Sequence, residues 1–235
     1  RRQGVYESMR RKRLVGCCLM LAMLGACESD FSVEQAAIQW LEWPAEVQVA
    51  LPFEARAILV PPACVPHTFQ SHVTANDSTV TVAPYFLVNR NADPICPPME
   101  LSFAPLPLIR LDTAVTMPAL NAPGTLEMLA TVPSDPAANT TPGYVPVRFF
   151  GEVTVRAADP DTSRRNAGGV VTMRIDEQGC ARIQPAGPFG AGLEYMLEDQ
   201  ADTTGLNAAF VRGYLHDAAA PVCGFSRVFH LVARD

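Results

Sequence analysis

Downstream of Cys27 the chain contains no lysine: residues 27–235 hold 12 basic side chains, every one an arginine, against 23 aspartates and glutamates, a net charge of −11. The missing lysine reads as the coding bias of a GC-rich gene rather than as a demand for guanidinium chemistry. The acidic balance says more, because it repels phosphate backbones and nucleic-acid-binding domains carry the opposite footprint. It is also uneven: residues 28–144 hold three arginines and 12 acids, residues 145–235 nine and 11. Nucleic acid is therefore not an expected partner. No G-x-S-x-G occurs, which removes the exposed serine of a nucleophile elbow. No apolar run after Cys27 approaches the about 20 residues that a membrane-spanning helix needs, so the body of the chain is expected to be soluble.

The N-terminal segment has the opposite character. Residues 1–8 carry no signal of their own and read as an upstream extension. From Met9 onward come Arg10, Arg11, Lys12 and Arg13, then an almost wholly apolar stretch from Leu14 to Leu24, then Gly25-Ala26 and Cys27. A basic start, an apolar middle and a small-residue exit form a secretory signal. With cysteine as the next residue, Leu24-Gly25-Ala26-Cys27 resembles a lipobox, and the chain resembles the bacterial lipoproteins. That resemblance implies removal of residues 9–26, acylation of Cys27, a lipid tether over 27–34 and residence in the cell envelope. Glu28, rather than aspartate after the cysteine, implies the outer membrane where there are two.

Of seven cysteines, Cys17 and Cys18 belong to the leader and Cys27 to the lipid, leaving Cys64, Cys96, Cys180 and Cys223. An even remainder in an exported chain implies disulfides, with three pairings open. Local pairing, 64 with 96 and 180 with 223, is expected because each pair falls inside one of the two segments that composition separates. Each bridge then stabilises its segment by roughly 2–4 kcal/mol.

Short apolar segments broken by proline and turn residues run through the rest. Ser32 with Gln35 suggests a capping box, but Ile38 to Trp43 before Pro44 suits a strand better. On a strand Trp40 and Trp43 point to opposite faces, so at least one is expected in the core. Ser78-Thr79-Val80-Thr81-Val82 alternates with period two, as a strand with one buried face does, after the turn chemistry of Asn76-Asp77. Further strands are expected at Val47–Val49, Ala55–Val60, Leu101–Phe103, Leu108–Leu111 and Thr125–Val132. This spacing predicts an immunoglobulin-like β-sandwich over 35–132. Residues 133–143 lack apolar periodicity and read as a linker.

Over 144–235 the strands resume at Val145–Val155, Val170–Ile175, Ala181–Ile183, Leu193–Leu197, Ala209–Leu215 and Val228–Ala233, with a long polar loop at 158–169. The order Gly151-Glu152-Val153, Gly179-Cys180-Ala181-Arg182-Ile183, Leu193 to Glu198, Phe210 to Leu215 and Cys223 before a last apolar strand resembles a small OB-like β-barrel. The resemblance implies a five- or six-stranded barrel and no activity; independent folding of 144–235 is expected because the segment has its own strands, its own cysteine pair and a proline-rich linker ahead of it. The fold class expected for the whole is all-β, a sandwich followed by a barrel.

Candidate chemistry is sparse. Cys64, His67 and His72 form C-x2-H-x4-H, half of a zinc site without a fourth ligand, and Cys64 has an expected disulfide partner. His216 and His230 have only Asp217 at ligand-like spacing and read as surface histidines. Asp159, Asp161, Asp176 and Glu177 lack the spacing of a calcium loop. Tyr195, Phe210 and Tyr214 are available as an aromatic platform, although Phe210 and Tyr214 share a strand face with core character. No metal or other cofactor and no catalytic residue is expected. The function expected is a non-enzymatic binding or structural role in the cell envelope, with membrane contact through the lipid and an envelope protein or carbohydrate as partner. The alternative is a periplasmic enzyme whose carboxylates meet in a cleft between the two segments.

Overall fold

The computed structural model describes residues 31–62, 64–92, 110–133, 146–186, 193–201 and 203–235. The lipobox with Cys27, the strand expected at Leu101–Phe103, Cys96 and nearly all of the expected linker lie outside them. Among the described residues there is no helix, and the chain is all-β: β1(Phe31–Gln35), β2(Ile38–Pro44), β3(Glu46–Gln48), β4(Phe53–Leu59), β5(His67–Ala75), β6(Thr79–Asn89), β7(Leu111–Met117), β8(Gly124–Thr131), β9(Val147–Arg156), β10(Arg165–Ile175), β11(Ala181–Pro185), β12(Tyr195–Leu197), β13(Phe210–Val222) and β14(Phe225–Arg234).

The strands form two sheets. In the first, β6 alternates strictly, with Val80, Val82, Phe86 and Val88 turned into the core, which is the alternation that its Ser78–Val82 segment announced. Residues 80–88 of β6 pair with β5 on one side. On the other side β6 meets β8 through 79–82 and β1 through 85–89. Pro84, which has no N–H to give a ladder, falls between those two partners. β8 continues to β9 and β9 to β3. The second sheet runs β7, β4, β2 and β10, and faces the first. Between them lie Leu41, Trp43, Leu59, Met117, Met128, Phe150 and Val153, all buried. This is the sandwich-like arrangement expected from the strand spacing.

Beyond β10 the second sheet curls on itself. β10 pairs with β11, β11 with β12, β12 with β14, β14 with β13, and β13 again with β10. These five strands close a ring around a second core that includes Trp40, Ala167, Val171, Ile183, Val211, Leu215 and Phe229.

β2 is the wall between the two cores. A register shift between Ile38 and Trp40 resets the alternation, after which Leu41 and Trp43 face the sandwich and Trp40 faces the ring. Both tryptophans are fully buried, so the pair is core on both faces. Trp43 donates its indole N–H to the Glu152 carbonyl at 3.0 Å. The approach of β10 to β2 is close enough that a Cβ on Gly169 would lie 2.0 Å from the Gln39 oxygen. Residues 165–169, expected in a polar loop, are strand for this reason: glycine there marks backbone contact rather than a turn.

The pairing also runs across residues 133–143. β9 lies after them yet, among the described residues, pairs with β8 and β3, and β10 pairs with β2.

Candidate functional site

The outer face of the ring gathers polar and aromatic side chains through strand register. Leu197 is opposite Phe229 and Tyr214 opposite His230, so Glu198, just past the end of β12, forms a row with His230 on β14 and Tyr214 on β13. His216, two residues beyond Tyr214, stands on the diagonal of the same face, a position within reach of long and aromatic side chains. His230 Nδ1 lies 2.6 Å from Glu198 Oε2, and His216 Nε2 lies 3.2 Å from the same oxygen. Ligand atoms of Glu198, His216 and His230 fall within 4.8 Å of one another. The hydrogen bond with His230, with the His216 imidazole close by, holds the Glu198 carboxyl below the usual carboxylate range. Tyr214 stacks on His230 with ring centroids 4.7 Å apart.

Next to this row a cavity of about 300 Å³ opens between β9 and the ring, lined among others by Phe149, Glu152, Arg164, Asn166, Arg212 and Tyr214. Arg164 places its guanidinium 3.5 Å from the Tyr214 ring centroid, and Arg212 lies 5.1 Å from that of Phe149. Asn166 donates its amide to the Glu152 carbonyl at 2.7 Å. The lining holds two guanidiniums and a single carboxylate, Glu152. Tyr214 belongs both to this cleft and to the histidine row.

Inside the ring wall, Glu42 is buried and satisfied twice: Arg165 Nε donates to it at 2.7 Å and the Tyr195 hydroxyl at 2.9 Å. Burial and the neighbouring carboxylate push the Tyr195 phenol well above its ordinary range, which keeps it a donor. Its ring stacks on Trp40 at 5.3 Å.

The expected residues are placed as follows. Cys180 and Cys223 are joined, with an S–S distance of 2.06 Å, tying the head of β11 to the turn between β13 and β14. Cys64 is also disulfide-bonded, while Cys27 and Cys96 lie outside the described residues. Cys64, His67 and His72 do not converge. His67 Nδ1 meets the Val65 carbonyl at 2.9 Å and its ring edge meets Phe86 at 5.1 Å, whereas His72 is exposed on the other face of β5. Asp161 accepts from the Ser163 amide and hydroxyl, and Asp176 accepts from the Cys180 amide and from Arg182. Of the aromatic trio, Phe210 is core against Phe150 at 4.9 Å, Tyr195 is held by Glu42, and Tyr214 alone reaches the outer face.

Spacing along the sequence leaves His216 and His230 as surface histidines and does not bring Glu198 beside them. Glu198 and His230 are 32 residues apart, and only register brings them together. The available signal was parity: Tyr214 and His216 share a strand face.

Comparison with known proteins finds no match, whether with family descriptions, curated proteins or solved structures.

Proposed function

We propose that the chain is an extracytoplasmic lipoprotein, anchored to the cell envelope through acyl groups on Cys27 and acting by binding rather than by catalysis. The anchor rests on Leu24-Gly25-Ala26-Cys27. The outer membrane is the favoured site where two membranes exist, from Glu28. The binding role rests on one observation above all: the cleft beside β9 sets two guanidiniums against aromatic rings, Arg164 on Tyr214 and Arg212 on Phe149. Guanidiniums held over aromatic rings present fixed donors beside apolar surface, which suits the hydroxyls and apolar faces of a carbohydrate, or the polar rim of an envelope protein. The five-strand ring keeps the OB-like likeness of 144–235 as part of this reading. The alternative, carboxylates paired for catalysis in the cleft, draws on Glu152 alone among the lining residues.

Two experiments test the two halves. Cys27→Ser is expected to move the protein from the membrane fraction to the soluble extract, since stable anchoring takes two acyl signals at about 0.8 kcal/mol per buried methylene. Retention on membranes after a salt wash overturns the lipoprotein reading. The soluble protein is then offered to envelope glycans and membrane proteins, with Arg164→Ala and Arg212→Ala as comparisons. Capture that ignores both substitutions overturns the assignment of the cleft.

A further inference from the structure

We propose that Glu198, His216 and His230 bind one first-row divalent transition-metal ion on the outer face of the ring. The reading goes beyond the envelope-binding proposal and does not depend on the lipid anchor.

The argument turns on the lone pairs. His216 Nδ1 lies 3.1 Å from the Asp217 carbonyl oxygen. A carbonyl only accepts, so Nδ1 carries the hydrogen and, in the neutral ring, Nε2 is left with its lone pair. That Nε2 is buried and lacks the alignment of a hydrogen bond to any group among the described residues, yet it is aimed at Glu198 Oε2 from 3.2 Å. Two acceptors facing each other at that distance repel unless positive charge lies between them. A proton on Nε2 would supply the charge but not a directed bond. An ion lying off the N–O axis satisfies both atoms, and it takes the place of the proton through which His230 Nδ1 meets the same oxygen at 2.6 Å. Fixing the ligand tautomer through a backbone carbonyl is the usual outer support of a metal-binding histidine.

The platform is also rigid. The Glu198 amide donates to the Phe229 carbonyl at 3.0 Å, which ties β12 to β14 at the level of His230. Stacking by Tyr214 fixes the His230 ring plane. Between β13 and β14 the register shifts at Gly213, where a Cβ would lie 2.0 Å from the His230 carbonyl oxygen; a bulge of this kind re-aims the side chains that follow it. Two imidazoles and one carboxylate suit zinc, iron, cobalt, nickel or copper rather than calcium or magnesium, which prefer all-oxygen sets. Three protein ligands leave coordination positions open. Tyr214 puts the neighbouring cleft beside them.

The test uses the purified, oxidised full chain with Zn²⁺ and Co²⁺ alone as probes. After gel filtration the protein is expected to retain one equivalent of zinc per chain, and Co²⁺ to give a visible ligand-field absorption. His216→Ala, His230→Ala and Glu198→Gln are each expected to weaken binding by more than the about 10–100-fold lost with an outer-shell partner, and to abolish the cobalt band. His72→Ala, on the other sheet, is expected to change neither. Circular dichroism identifies a histidine variant that fails to fold, and the near-isosteric Glu198→Gln then carries the test. Absence of stoichiometric uptake, uptake indifferent to the three substitutions, or equal loss in His72→Ala would each overturn the proposal.

Discussion

The sandwich core and the ring core share a wall but are built differently. The sandwich packs apolar side chains, and its buried polar groups end on backbone carbonyls, Trp43 on that of Glu152 and Thr131 on that of Ala36. The ring, by contrast, admits Glu42 into its wall and must satisfy it with Arg165 and Tyr195. A dry core is specified by volume and tolerates any arrangement that fills it, whereas a buried carboxylate specifies which donors must be present. The outer faces differ in the same direction. The cationic and imidazole groups of the cleft and the histidine row all belong to residues after 145, the part of the chain in which arginines nearly balance the acids.

The strongest challenge to this comparison is to separate the regions. A fragment 144–235 leaves β9 without β8 and β3, and β10 without β2 and Trp40. Although its own strands, cysteine pair and preceding linker suggest that this segment is autonomous, the expected outcome is a fragment with no cooperative thermal transition. A sharp transition would show that the ring needs neither tryptophan wall nor neighbour. Within the whole chain, Trp40→Ala and Trp43→Ala are each expected to cost about 3–5 kcal/mol, as large-to-small changes in packed cores do. Because both side chains leave the same strand, each should lower one common unfolding transition. Two separate transitions, one moved by each substitution, would make the cores independent.

Opening the Cys180–Cys223 bridge, which spans 43 residues, is expected to cost roughly 2–4 kcal/mol and to loosen the ring side first. Hydrogen exchange of β11 and β14 amides, compared with β6 amides before and after reduction, distinguishes this from a uniform loss. The smallest effect expected is on acid sensitivity. Amide hydrogen bonding by Cys180, with Arg182 nearby, holds Asp176 below its ordinary range, and the Arg56 guanidinium does the same for Asp112. A carboxyl whose folded value is depressed contributes stability above its unfolded value and loses it as pH falls through the folded one. Asp176→Asn and Asp112→Asn should therefore each reduce the fall in denaturation midpoint between about pH 7 and about pH 3, with little change in the fall where the site contributes nothing.

Much of the fold was legible where one strand face is buried and the other wet. β6 and β8 announce themselves by alternation, and Ala209–Leu215 marks the first half of β13. β5 was hidden because its histidines drew attention to a metal spacing, although Phe69 and Val73 alternate with polar neighbours. The start of β10 was hidden for a different reason: Gly168-Gly169 imitates a turn, and nothing local reveals that another backbone lies against it. The closure of the ring and the meeting of Glu198 with His216 and His230 depend on which strands pair, and pairing across more than a hundred residues, as between Trp40 and Gly169, leaves no short-range trace.

That same long pairing sets a timetable. A chain delivered from its N-terminus presents β2, with an indole on each face, long before residues 165–169 arrive to occupy its open edge. Loop closure must be completed before such distant contacts reward it, so folding is slow and the waiting edge is exposed to other chains. Refolding yield should fall with protein concentration, and a holding factor that covers β2 would have its greatest value during this interval, while the second half of the chain is still being delivered.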